Sequence, residues 1–384
     1  MRRSRPVVVV QLEPLHTEVV LPQLVILREA GRRAFLVAHP FVAEQVRAMR
    51  LLPRSRVIPI PAPQRGATRR LFRALRVPSV LVFVSGVVLA GAVALGVGAR
   101  RIVFTTIADR VRARVVRAFL RSERVVHIVH NVQRYDRSHR MLTARFGANV
   151  VISRDVLATQ QARPSTQRMR RLACFVPAQF PRLDLPPRST ALAAPAGGIR
   201  VGVPGSVNQQ RRNYRGLIDS VSAHAPLFRA AGVRFYLIGR TPRSFIRALR
   251  DHEIDDLIVA REGFWEFDEM FAAVRDMDAI AFLIDTSIEH ATHYNRTKIS
   301  GTSPLAIAFN KAVISSREFS VDQVLRNQTF WYPGAALDEF ARAVAAETVT
   351  RDALRGSVMS RDAHRSLVDR EADAYLRILD GGRP

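Results

Sequence analysis

The chain has 384 residues, 48% hydrophobic and 24% charged, which excludes a disordered polymer and leaves room for two domains, each with its own core. A single cysteine, Cys174, excludes an internal disulfide and a cysteine zinc cluster, and fits a reducing compartment. The formal net charge is +26, and residues 1–190 hold 34 of the 59 basic residues but only 9 of the 33 acidic ones, so the first half is expected to meet an anionic partner such as a membrane surface, a nucleic acid or an acidic polymer.

Arg2, Arg3 and Arg5 precede Pro6 and a short apolar strand, Val7–Gln11, too short a run for a secretory leader. The loop Leu12–Glu18 leads into a helix, Val19–Ala30, that ends at Gly31, and Arg33–Ala38 is the second strand. Strand, helix, glycine, strand opens a parallel α/β sheet, whose ligands bind beyond the carboxyl ends of the strands. Glu13, His16 and Glu18 are therefore candidates for a cleft. Residues 50–76 are basic and contain proline, and Val77–Ala99 then runs 23 residues without a charge. Length alone would allow a membrane span. Four glycines, Pro78, Ser79 and arginines on both sides favour a helix packed on the sheet or dipped into a bilayer face.

Arg101–Ile107 is the next strand, and Ala108–Arg121 is a helix with Arg114, Arg117 and Arg121 on one face. No aromatic platform or nucleic-acid-binding pattern accompanies them, so nucleic acid is not expected as a partner. The strand Val125–Val129 delivers His130-Asn131-Val132 to a strand end. A helix at Ser138–Phe146, a strand at Asn149–Ser153 and another within Met169–Pro177 follow. Pro181–Gly198 is rich in proline and aperiodic. The expected division is a first domain over 1–182, a linker over 183–198 and a second domain over 199–384 that includes a helical tail.

The second half repeats the alternation. Strands are expected at Ile199–Val203, at Val233–Ile238 (closed by Gly239-Arg240), at Leu257–Ala260 and at Ala279–Ile284, with helices at Asn213–Ala223, Arg243–Arg250 and Trp265–Arg275. Leu337–Ala346 and Asp362–Leu379 read as tail helices, and neither half carries a GxGxxG fingerprint. Between them lies Tyr294–Ser315: a polar stretch with Lys298, the small residues Ser300, Gly301, Thr302 and Ser303, an apolar helix from Pro304 and a buried strand. Thr302 or Ser303 can cap the helix, and Pro304 suits its first turn. Free backbone N–H groups, the helix start and Lys298, one of only two lysines in the chain, together read as a diphosphate cradle. An ordinary loop–helix–strand unit of an α/β domain is the alternative. Asp276-Met277-Asp278 spells a DxD motif, but it precedes its strand, so it reads as a helix end and no metal is expected.

The layout resembles the GT-B glycosyltransferases. Members of their retaining family-four group carry a Gly-Arg turn after the first strand of the second domain, and a Lys-Gly or Lys-Asn a few residues on. Here Gly205-Ser206 is the turn, and Arg212-Asn213 or Arg211-Arg212 takes the later position. Arg240 follows Leu237-Ile238-Gly239 as it often does in those enzymes. The glutamate pair they place near the domain end is missing, and Glu289 upstream has no partner. Tyr294 with Lys298-x-Ser300-Gly301 is more similar to bacterial exopolysaccharide transferases of the xanthan glucuronosyltransferase type. His130-Asn131-Val132 resembles the His-Asn that many GT-B enzymes present to the cleft.

The resemblance implies an α/β protein of two Rossmann-like domains facing across a cleft, and a hexosyltransferase-like enzyme whose donor is a nucleoside-diphosphate sugar. No cofactor and no metal are implied. Lys298, Arg211 or Arg212, Gly205 and the Ser300–Ser303 backbone would hold the diphosphate. Arg240, Tyr294 and Glu289 would lie near the nucleotide or sugar. His130 is the first candidate for a base at the acceptor hydroxyl, with His16, Glu13 and Glu18 behind it. Inversion and retention both stay open. The basic first half and its apolar run imply a lipid-linked or envelope polysaccharide acceptor, met peripherally at the cytoplasmic face of an anionic membrane. The rivals are a nucleotide-sugar 2-epimerase, a polysaccharide pyruvyl transferase and a non-enzymatic binder of anionic lipid or nucleic acid.

Overall fold

The computed structural model describes residues 5–14, 17–61, 79–129, 132, 142–162, 172–180, 198–263, 265–289, 291, 294, 300–334 and 337–381. The chain clusters into two compact units: Met1–Pro181 with Thr297–Ile299 and Leu367–Pro384, and Arg182–Arg296 with Ser300–Ser366.

In the first unit, seven strands form one parallel sheet: β1 (Val7–Gln11), β2 (Ala34–Ala38), β3 (Val57–Pro59), β4 (Arg101–Phe104), β5 (Val125–Val129), β6 (Ala148–Val151) and β7 (Leu172–Cys174). Their order is β3-β2-β1-β4-β5-β6-β7. Helices α1 (Thr17–Glu29), α2 (Pro40–Ala48), α3 (Ser79–Gly96), α4 (Arg110–Phe119) and α5 (Arg154–Gln161) connect them. β1, β2 and β5 are buried along their whole length, as parallel strands covered on both faces should be. The strand order reverses between β1 and β4, which makes their carboxyl ends the place for a ligand.

The second unit repeats this plan. Strands β8 (Arg200–Pro204), β9 (Arg234–Thr241), β10 (Ile258–Glu262), β11 (Ala279–Ala281), β12 (Ala312–Ser316) and β13 (Thr329–Tyr332) are parallel, in the order β10-β9-β8-β11-β12-β13. Helices α6 (Tyr214–Ala223), α7 (Ala225–Ala230), α8 (Arg243–Asp251), α9 (Phe267–Asp276), α10 (Thr302–Ala308), α11 (Asp338–Ala345) and α12 (Arg351–Gly356) pack around them. The reversal here falls between β8 and β11. Each unit is thus a doubly wound, Rossmann-like α/β domain.

One expectation needs correction. The tail was assigned to the second domain through Pro384, but helix α13 (Arg361–Asp380) belongs to the first unit from Leu367 onward. Tyr375 is fully buried there, its ring 4.8 Å from that of Phe175 and its hydroxyl donating to Gln23 Oε1 at 2.9 Å. Glu371, also buried, accepts the Val176 N–H at 3.0 Å and pairs with Arg154. The 23-residue apolar run packs on the sheet, one of the two arrangements expected for it: within it, α3 covers Ser79–Gly96 and lays Phe83, Val87, Ala90 and Ala94 into the core of the first unit. None of the described helices is long and apolar enough to cross a membrane.

Candidate functional site

The exit of β8 supplies the centre of the second unit's reversal point. Gly205 takes φ +109°, a conformation that favours glycine, and its N–H donates to Ile238 O at 2.9 Å. Gly239 in β9 lets the two backbones meet, since a Cβ there would lie 2.3 Å from Gly205 O. The Arg212 guanidinium folds back over Gly205. Its Nη2 donates to Thr302 Oγ1 at 2.8 Å, joining the β8 loop to the start of α10, and Nη1 lies 3.5 Å from the Tyr214 hydroxyl. Arg212 has no acidic partner among the described residues, and its Nε is buried without a hydrogen-bond acceptor among them. A half-buried cation without an acidic partner among the described residues thus lies at the carboxyl ends of β8 and β11, the end of a doubly wound sheet where ligands bind.

Asn213 ties the same loop to the exit of β11. Its N–H donates to Leu283 O at 2.7 Å, its Nδ2 to Asp285 Oδ2 at 2.9 Å, and its Oδ1 caps α6 by accepting the Gly216 N–H at 2.8 Å. Leu283 is held at φ +50°, a strained conformation for a branched side chain. Tyr214, Leu283 and Asp285 were not anticipated as parts of the site, and Asn213 was named only as the residue after Arg212 in one reading of the motif. Asn213 carried a local signal, a capping residue directly after the arginines.

The structure rearranges the expected cradle. Gly301, not Thr302 or Ser303, is the N-cap of α10, and it caps without a side chain. Thr302 and Ser303 are buried inside the helix. The Thr302 N–H already donates to Ser300 Oγ at 3.3 Å and the Ser303 N–H to Ser300 O at 3.1 Å, so these donors do not face an anion. Arg211 is exposed in the turn before α6. Arg240 lies within β9 rather than in a turn after it; its side chain is exposed and its carbonyl accepts the Val207 N–H at 2.9 Å. Glu289 is exposed. Tyr294 is a buried packing residue, with its ring edge-on to Phe319 at 5.9 Å. Lys298, His130 and His16 lie outside the described residues. The other lysine, Lys311, serves structure, donating to Arg275 O and Met277 O at 2.6 and 2.7 Å. Asp276 closes α9, and Asp278 is engaged by Arg200, Arg351 and Arg355.

At the first unit's reversal point, Gln11 ends β1, and its Oε1 accepts from Thr105 and Thr106 just past β4. Its Nε2 donates to Glu13 O at 2.9 Å. The Glu13 carboxylate lies 3.4 Å from Arg112, which also pairs with Asp109 at 2.8 Å. Glu13, expected as a possible base, is therefore engaged by a cation. Glu18 lies in the first turn of α1. His39 caps α2 at the end of β2, with Nδ1 accepting the Phe41 N–H at 3.2 Å. Burial lowers its pKa below the usual value, which keeps the ring neutral at neutral pH with its proton on Nε2. The signal missed here was polar residues ending apolar strands: Gln11 after four valines, and Thr105-Thr106 after Phe104.

Replacing Gly205 by alanine tests the centre of the second-unit cluster. The new Cβ would lie 2.7 Å from Arg212 Nη1 and would force a positive φ on alanine. A stability loss of about 1–2 kcal/mol in urea unfolding is expected from the backbone alone, with displacement of Arg212 on top.

No protein-family model matches the chain, and no curated protein matches it in sequence. Solved structures match its fold. A sucrose-phosphate synthase from Thermosynechococcus elongatus superposes with a TM-score of 0.63 at 13% identity, covering 98% of each chain. A glycosyltransferase from Rickettsia africae gives 0.62 at 10% identity over 98% of this chain and 99% of its own. A UDP-N-acetylglucosamine 2-epimerase from Rickettsia bellii gives 0.53 at 12% identity over 98% and 96%. At such identities the likeness shows the fold, that of the GT-B glycosyltransferases and the related epimerases.

Proposed function

We propose that this protein is a glycosyltransferase that moves a sugar, of the hexose class, from a nucleoside-diphosphate donor to a lipid-linked or envelope polysaccharide acceptor. The observation that carries the reading is Arg212, a cation without an acidic partner among the described residues, lying over Gly205 at the reversal point of the second unit. The single positive charge and the N–H donors of such a fork would stabilise a diphosphate leaving group, and Thr302 holds the fork in place. Lys298, close in sequence to Ser300, is assigned as a second cation. The first unit takes the acceptor. His130, the residue after β5, is the proposed base, with His16 next, because Glu13 is engaged by Arg112. The charge excess of residues 1–190 supports an acceptor at the cytoplasmic face of an anionic membrane.

The test begins with UDP, GDP and ADP in a thermal-shift panel. One of them is expected to raise the melting temperature, and a panel without any shift would sink the donor reading. The matching sugar nucleotide is then incubated with and without lipid-pyrophosphate acceptors. A transferase releases nucleoside diphosphate in step with a heavier acceptor. Conversion of the sugar nucleotide to its C2 epimer without an acceptor would instead make the protein an epimerase, the activity named for the Rickettsia bellii structure.

A further inference from the structure

Among the described residues, six large apolar side chains are exposed, and five of them lie on α3 and α4. Leu81, Val88 and Leu95, 56%, 46% and 75% exposed, recur every seven residues and so form one line along α3, on the side away from Phe83, Val87, Ala90 and Ala94. Val111 and Phe119 are the exposed pair on α4. The two helices run side by side and parallel: the Arg112 guanidinium lies 5.5 Å from the Phe83 ring, and one helical stretch later a Cβ on Gly91 would lie 3.0 Å from Leu120 Cδ2. The exposed line of α3 and the exposed residues of α4 therefore share one outer surface.

The charges around this surface are mainly basic, with Asp109 and Glu123 the exposed acidic residues near the ends of α4. α3 carries none. Arg100, Arg110, Arg114 and Arg121 are exposed at its end and along α4, and the acidic residue at the head of α4, Asp109, is paired with Arg112. Against a second copy of the chain, two such basic rims would meet and repel. Against an anionic leaflet, the same rim attracts, by about fivefold in affinity per arginine, while the apolar line gains from leaving water.

We infer that the outer face of α3 and α4 is a membrane-docking surface, with Leu81, Val88, Leu95 and Phe119 entering the acyl boundary of an anionic bilayer and the arginines lying among its headgroups. The surface backs directly onto the first unit's candidate acceptor end. A Cβ on Gly86 of α3 would lie 2.7 Å from Leu12, the residue after β1, and Arg112 links Phe83 to Glu13. Docking thus places the bilayer one helix away from Gln11, Thr105 and Thr106, where a lipid-anchored acceptor would present its headgroup. This last step rests on the proposed transfer reading; the docking surface does not.

Flotation of the full-length protein with vesicles of phosphatidylcholine, alone or mixed with phosphatidylglycerol, tests it. Binding is expected to the mixed vesicles and to weaken as salt rises. Val88→Glu with Leu95→Glu should weaken it about tenfold or more, whereas Leu227→Glu, at the exposed apolar residue of α7, should leave it unchanged. Leu95→Glu alone, at the most exposed position, serves if the double variant does not fold. Phe119→Trp should be quenched by brominated acyl chains. Unchanged flotation of the α3 variants, or no added quenching in Phe119→Trp, overturns the docking face. So does a parent dimer that the α3 variants split, which would make this a self-association surface. UDP, GDP and ADP stabilisation is measured on the same variants: its presence without vesicle binding removes the docking face alone, and its absence with vesicle binding removes the donor reading alone.

Discussion

Arg212→Ala is expected to weaken nucleoside-diphosphate binding by about 1.5–3 kcal/mol, the range for a hydrogen bond to a charged group, which is a loss of roughly 10- to 150-fold in affinity. The guanidinium lies against Gly205, is held by Thr302 Oγ1 at 2.8 Å and has no acidic partner among the described residues. Removing it leaves no competing carboxylate behind, so the free protein should lose little beyond the Thr302 bond. The effect belongs on binding. Arg212→Lys should recover only part of the affinity, because an ammonium can supply the charge but not the planar fork. Arg211→Ala is the matched control, one residue away and exposed. Calorimetry of the three variants with whichever of UDP, GDP or ADP stabilises the parent decides the matter. Equal affinity in Arg212→Ala and the parent would move the diphosphate away from this loop, and Lys298→Ala would become the next variant to measure.

What a linear reading could see of this protein follows from where each interaction closes. Central parallel strands are buried on both faces, so Val7–Gln11 and Val125–Val129 stand out as apolar runs and match β1 and β5 residue for residue. The edge strands β3 and β13 escaped notice, since Val57–Pro59 is three residues ending in proline and Thr329–Tyr332 has partners on one side only. Helix α2 was not anticipated; Pro40 is its first residue, where its missing N–H costs nothing. Periodicity announced α13 as a helix without saying what it packs on, because Glu371 and Tyr375 find their partners at Val176, Arg154 and Gln23. In the candidate site, Gly205 and Arg212 were named through the resemblance to GT-B glycosyltransferases, and the structure brings the two together. The bond that orients Arg212 spans 90 residues to Thr302, and no local pattern encodes it. The cradle was misjudged for a local reason: Ser300 satisfies the two N–H groups that an open helix start would have offered.

Asp278→Ala should show the opposite signature, a large loss of stability with donor affinity kept by the folded fraction. Asp278 lies just before β11, beside Arg200 at the start of β8, so it sits at the amino ends of the strands, opposite the Arg212 cluster. Its Oδ2 accepts the Arg200 N–H at 3.0 Å, and its Oδ1 accepts from Arg351 and Arg355 of α12 at 3.0 and 3.1 Å. The carboxylate is buried and Arg200 is nearly so, so its removal strands a buried cation and a backbone donor. Breaking such a pair typically costs about 3–5 kcal/mol. Burial alone would raise the pKa of Asp278, but the Arg200 N–H and the Arg351 guanidinium outweigh it, and the pKa falls below the ordinary carboxylate value. A lowered folded pKa contributes stability that is present above the unfolded carboxylate range and is lost as pH falls through the folded value. The gap between parent and Asp278→Ala in urea unfolding should therefore be widest near neutrality and narrow below about pH 4. Asp278→Asn, which keeps an acceptor for the Arg200 N–H, should fall between the two at neutral pH and converge with the parent in acid. A gap that stays constant across that range would mean the carboxylate's charge is not what holds α12 to the sheet.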